Sequence, residues 1–309
     1  MAVPTALGLI VLLLASVLFS PWPFLALVVV ALGLALHELT QALARAGFHV
    51  PYVPLAVGAA FTQVAAARSG APGVVVGVFL TLAAGVVWRV LEGDYRQAGD
   101  AVSRPGGSPP SPDPDLGGLS ESSSPAASRG RHAAPAGAAP GRSLGGDVCA
   151  IAFATVYLPT LAALVVLLSF MPDGRWLVLL LVAVPVASDT GGYFAGSYLG
   201  RHKLAAQISP KKTWEGLAGS ILLAVVAGVG GMLLMGRPWY FGLALGILGA
   251  LAATLGDLAE SLLKRAIGIK DMGSLLPGHG GVLDRVDSIL MTAPFFYAVI
   301  TLFGTEVFG

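Results

Sequence analysis

Residues 256–288, GDLAESLLKRAIGIKDMGSLLPGHGGVLDRVDS, set acids and bases at spacings that could do chemistry. On a helix Asp257, Ser261 and Lys264 fall on one face, and Asp284 and Asp287, three apart, fall on another. A carboxylate in or near hydrocarbon is costly unless it is paired or metal-bound. Three of them aimed at one pocket repel each other without a cation, and an oxygen-only ligand set suits Mg²⁺ rather than zinc. Two plainer uses compete: local pairing with Lys264, Arg265 or Arg285, and stabilisation of a helix N-terminus by Asp284 and Asp287. Gly278, Gly280 and Gly281 allow a tight turn that leads into a helix start and could seat a phosphate. His279, between those glycines, lacks a partner at zinc spacing; it either shapes the loop or touches substrate.

A second segment, residues 188–216, reads SDTGGYFAGSYLGRHKLAAQISPKKTWEG. All five lysines of the chain lie in these two segments, against 13 arginines spread elsewhere as well. Lysine is a compact point charge suited to phosphate. Lys211 and Lys212, after the break at Pro210, either meet a phosphate or anchor the chain to anionic headgroups. Ser188 and Asp189 end an apolar run, and Asp189 needs a partner. Gly192, Gly196 and Gly200 recur every four residues, a pattern of close helix packing, and Trp214 suits a membrane-interface belt.

The elements that position these groups must sit in lipid. The chain of 309 residues is 55% apolar and 11% charged with mean hydropathy +0.80, where a soluble domain carries about 25% charge. Spans of about 20 apolar residues are expected at 3–19, 23–43, 52–67, 72–91, 148–169, 175–199, 216–236, 238–260 and 286–304. The third is short, and the first reads as a retained span rather than a cleaved signal. The expected fold is therefore an all-α polytopic membrane protein of about nine transmembrane helices: four spans in 1–91, a linker at 92–147 and five spans in 148–309. Half of the linker's 56 residues are Pro, Gly or Ser, so it is read as disordered. If loops after spans two, four, six and eight face the cytoplasm, 15 of 18 basic residues lie on that side, with the N-terminus inside. Leaving out six in or near the linker, the ratio is still 9 to 3. A net charge of +1 gives no attraction to nucleic acid, and the single cysteine, Cys149, excludes an internal disulfide. His37, Glu38, Gln41 and Arg45 line the end of the second span, for interhelix hydrogen bonds or a subunit contact; a homodimer is one expectation.

The run Ser261–Asp287 resembles the signature of the phosphatidate cytidylyltransferase (CDP-diacylglycerol synthase) family. That signature reads S-x-x-K-R, four residues, K-D, a small residue two on, then H-G-G, two residues and D-R-x-D. It is met by Ser261, Lys264, Arg265, Lys270, Asp271, Gly273, His279, Gly280, Gly281, Asp284, Arg285 and Asp287. SDTGGYFAG and ISPKKTWEG also look like this family. The resemblance implies an Mg²⁺-dependent transfer of CMP from CTP to phosphatidic acid, giving CDP-diacylglycerol and pyrophosphate, where the inner leaflet of the cell membrane meets the cytoplasm. It implies a metal at Asp257, Asp284 and Asp287, with a second, monovalent cation as a further expectation. It implies CTP contacts at Ser188, Asp189, Ser209, Lys211 and Lys212, and phosphate contacts at Lys264, Arg265, Lys270, His279 and Arg285. An ion-coupled transporter would also bury carboxylates, but leaves the lysine clustering and the H-G-G turn unexplained.

Overall fold

The computed structural model describes residues 2–102, 143–205, 208–269, 272–273 and 280–304. Most of the linker, with Lys270, Asp271 and His279, lies outside the described residues. The helices in chain order are α1 (Ala2–Phe19), α2 (Pro21–Arg45), α3 (Tyr52–Val102), α4 (Leu144–Thr155), α5 (Leu161–Ser169), α6 (Gly174–Leu199), α7 (Trp214–Leu234), α8 (Trp239–Ile267) and α9 (Leu283–Phe303). Among the described residues seven helical segments are long and apolar enough to cross a membrane, and Gly8–Phe19 forms a shorter apolar helix. The helices expose large apolar side chains such as Leu12, Val30, Val57, Phe79 and Leu222, a surface suited to lipid and not to water.

Three features depart from the sequence expectation. Tyr52–Gly93 forms one long helical segment with a bend: Gly70 has φ +66° and ψ −148°, and Pro72 follows. The two legs fold back on each other, since the hydroxyls of Thr62 and Thr81 meet at 3.2 Å and Gly58 packs against Thr81. The α4–α5 span is joined by a π-helical turn, Val156–Thr160, which contains Pro159; the ring cannot donate to the ladder, and the turn widens there. The third departure adds a short strand pair to an otherwise helical chain. Lys203–Ala205 (β1) and Ser209–Thr213 (β2) form an antiparallel hairpin, with Lys203 opposite Thr213 and Ala205 opposite Ser209. Pro210 bars a helix there, and in a two-stranded ribbon its missing N–H can face outward. On either side of the expected linker, α3 runs to Val102 and α4 starts at Leu144.

The two groups of spans share one core. A single buried cluster takes Leu36 and Leu39 from α2, Ile151 from α4, Leu177 and Leu181 from α6, Leu245 from α8 and Phe296 from α9. Within it α6, α7 and α8 approach closely on glycine: a Cβ on Gly191 would overlap the Gly219 backbone, and one on Gly228 the Gly242 backbone. At one end of the bundle, Asp147 at the start of α4 accepts from Arg89 of α3 at 2.7 Å and from the His49 N–H at 2.7 Å. That end also gathers the C-terminal ends of α2, α6 and α8, the hairpin and the start of α9.

Candidate functional site

The hairpin closes over the end of α6 because Glu215, in the first turn of α7, holds its base. The Glu215 carboxylate accepts the N–H of Arg201 at 3.1 Å and of His202 at 3.2 Å, and meets the His202 ring at 2.6 Å. Thr213 caps α7, its hydroxyl accepting the Gly216 N–H at 3.1 Å. Between hairpin, α6, α7 and α8 opens a cavity of about 480 Å³, whose walls include Asp189, Tyr193, Lys203, Lys211, Lys212 and Asp257. Lys203 and Lys211 have no carboxylate within ion-pair distance among the described residues. Lys212 is engaged: its ammonium lies 2.9 Å from Asp257 Oδ2 and 3.3 Å from the Thr254 carbonyl.

Deeper, between α8 and α9, the acids form a chain. Asp257 Oδ1 accepts from the Ser288 hydroxyl at 2.8 Å, and the same hydroxyl lies 3.3 Å from Asp287 Oδ1. The Asp287 side chain is buried, and its Oδ2 meets no donor among the described residues; its carboxyl lies against that of Glu260. Glu260, one turn along α8 from Asp257, is buried against Asp284 and Asp287. Its Oε1 lies 3.1 Å from the Lys264 ammonium. Asp284 pairs with Lys264 at 2.9 Å and accepts the N–H of Gly281 at 3.0 Å and of Met272 at 3.3 Å. Gly280, beside it, has φ +79°, the turn conformation glycine makes accessible.

The structure thus brings together Asp189, Lys211, Lys212 and Asp257 at the cavity, with Lys264, Asp284 and Asp287 behind it. It does not bring the three aspartates onto one point. Asp257 and Asp284 each have their own lysine, and Asp284 is further occupied by two backbone N–H groups of the loop it anchors. No group of three or more acidic, histidine or cysteine side chains stands ready to hold a metal among the described residues. The pair joined through Ser288, Asp257 with Asp287, is what fits a hard cation, because it presents oxygen ligands, and among the described residues the buried Asp287 Oδ2 meets no donor and faces a further carboxyl, Glu260.

Other expected residues lie apart. Ser188 is buried beneath the cavity, where its carbonyl accepts from Ser220 at 2.8 Å. Ser209 sits in β2 opposite Ala205, away from the cavity wall. Arg265 and Arg285 are exposed on α8 and α9, outside the cavity lining. The sequence assigns no site role to Lys203, which the strand pairing brings in, or to Glu260, although Glu260 stands three residues from Asp257 and four from Lys264.

A bundle of apolar helices, with a lysine-lined cavity beside buried acids at one end, defines a polytopic membrane protein. The chain belongs to the Cytidylyltransferase family, whose model matches residues 1–303. It is 35% identical to the phosphatidate cytidylyltransferase of Mycobacterium bovis over 305 residues, which cover 97% of this chain and 88% of that one. The Mycobacterium leprae phosphatidate cytidylyltransferase is 32% identical over 94% of this chain and 83% of its own length. That of Bacillus subtilis is 44% identical over a shorter stretch of 120 residues, 38% of this chain.

Proposed function

We propose that the protein is a phosphatidate cytidylyltransferase, which transfers CMP from CTP to phosphatidic acid and releases pyrophosphate. The observation that carries this reading is the cavity holding two lysines that have no acidic partner among the described residues, next to the Asp257–Ser288–Asp287 chain. A phosphate oxygen of phosphatidate attacks the α-phosphorus of CTP; the new P–O bond forms as the bond to the β-phosphate oxygen breaks. The nucleophile is already an anion, so no general base is needed. The requirement is to hold two anions together and to stabilise charge on the leaving group. Lys203 and Lys211 face the cavity and would take the triphosphate, with Asp189 and Tyr193 on the opposite wall. Lys212 spans cavity and acids, keeping Asp257 in place.

Mg²⁺ fits the oxygen donors, and Asp257 and Asp287 would hold it; when bound it supplies a counter-charge for the phosphates. Asp284 is better suited to anchoring the loop before α9, against Lys264, than to direct ligation. The membrane arrangement we favour has nine crossings, counting α1 and each leg of α3. The N-terminus and the cavity end face the cytoplasm, where a soluble nucleotide and an inner-leaflet lipid can meet.

The test is purified protein with labelled CTP and phosphatidic acid, with and without a chelator. Labelled CDP-diacylglycerol, formed only when divalent cation is present, supports the proposal. Absence of lipid-linked label at full Mg²⁺ would overturn it.

A further inference from the structure

Glu38 lies inside the apolar α2 helix at 2% exposure, yet both of its carboxylate oxygens are engaged by another helix. Oε1 accepts the Val282 N–H at 3.0 Å and Oε2 accepts the Leu283 N–H at 2.9 Å. Leu283 is the first residue of α9, and Val282 before it supplies no side-chain cap. The first N–H groups of a helix lack intrahelical partners and carry its positive end. A Ser, Thr, Asp or Asn at position 282 would cap locally; here the cap comes from α2, 244 residues earlier in the chain.

The surrounding loop is shaped to admit that carboxylate. A Cβ at Gly273 would overlap Glu38 Oε1, and one at Gly281 would stand 2.6 Å from Oε2. Neither Gly273 nor Gly281 has a positive φ, so glycine is needed at both for space and not for backbone freedom. Among the described residues Glu38 has no basic side chain within ion-pair distance. Its charge is therefore spent on α9 and its loop. The first acidic residue of α9 is Asp284, which grips the same loop from the other side through the Gly281 and Met272 N–H groups. Asp287 follows within the next turn.

We propose that Glu38 is a positioning residue: it sets the start of α9 and thereby places Asp284 against Lys264 and Asp287 against Ser288 and Asp257. The N-terminal group of spans is then part of the catalytic machinery. This rests on the reading of the α8–α9 acids as the transfer site.

The experiment uses the full-length protein in lipid nanodiscs as wild type, Glu38→Ala, Glu38→Gln and Glu38→Asp. Hydrogen exchange is followed in the peptide over 281–290, and CMP transfer is measured against CTP concentration. In Glu38→Ala the Val282 and Leu283 amides exchange about tenfold faster or more, while α6 and α7 keep wild-type protection. The same variant loses about tenfold or more in kcat with KM for CTP within about twofold, because the CTP cavity does not include Glu38. Glu38→Gln, which keeps one acceptor oxygen, recovers part of both losses. If Glu38→Ala fails to fold, Glu38→Gln and Glu38→Asp carry the same two readouts. Unchanged exchange at 282–283 in a folded variant overturns the proposal, and so does lost protection with unchanged kcat. A wild-type protein that transfers no CMP would sink the functional reading, whereas the exchange arm would still report on the clasp.

Discussion

Asp287 carries the strongest residue-level expectation. Its Oδ2 is buried and meets no donor among the described residues, only the neighbouring Glu260 carboxyl, while Asp257 and Asp284 are each compensated by a lysine. Asp287→Asn replaces an oxygen by an amide of the same shape. CTP-dependent pyrophosphate release should fall about a hundredfold or more, with the detergent-extracted protein still eluting as a folded species; near-normal turnover would remove Asp287 from the metal site. Lys203 and Lys211 make a separate test, since charge-assisted hydrogen bonds contribute about 1.5–3 kcal/mol. Each Lys→Ala change should raise KM for CTP about tenfold, and an unchanged KM would place the triphosphate elsewhere. Lys203 and Lys211 both stand out as lysines in an arginine-rich chain. That Lys203 reaches the cavity was not legible, because only the pairing of β1 with β2 brings it there.

At the scale of elements, long apolar runs gave away the helices, while short and polar elements stayed hidden. The hairpin strands are three and five residues long and largely polar, too short for periodicity to register. The bend in α3 falls between the expected spans 52–67 and 72–91, but its close return needs Gly58 against Thr81 and Gly77 against Thr62, contacts between legs that no local pattern reports. Glycine recurrence in α6 was correctly suggestive of tight packing, and α7 with α8 extends it. Gly228→Leu would force side-chain atoms into the Gly242 backbone. We expect that variant to separate α7 from α8 and to lose the folded peak in gel filtration, whereas Gly230→Leu, at a glycine with open space around it, should keep that peak. Equal behaviour of the two would argue against glycine contact as what holds these helices.

For the whole molecule, the shared core joins spans on both sides of the linker. The half-buried Arg89–Asp147 pair joins α3 to the start of α4 across the linker. Arg89→Ala leaves the buried Asp147 carboxylate without its guanidinium, so it should lower the thermal midpoint of the purified protein; an unchanged midpoint would show that the two helix ends are held by other contacts. Deleting residues 104–140 leaves both helix ends and this pair in place, and we expect substantial CMP transfer to survive. An inactive yet folded deletion would assign the linker a role. The nine-crossing arrangement has its own check. With Cys149 replaced by serine, a cysteine at Ser197 should resist a membrane-impermeant thiol reagent added to intact cells, and one at Gly236 should react.

The amino-acid sequence by itself determined that this chain lives in lipid, because its apolar runs are long enough to span and too poor in charge to do otherwise. It also marked which acids and lysines stand out against that background, since each charge near hydrocarbon calls for a partner. Only the tertiary structure decided which partner each one takes. Lys212 goes to Asp257, Lys264 to Asp284, and Glu38 to the start of a helix 244 residues away. Those choices depend on helices separated in sequence meeting at one end of the bundle, at distances of about 3 Å where a hydrogen bond is either made or lost.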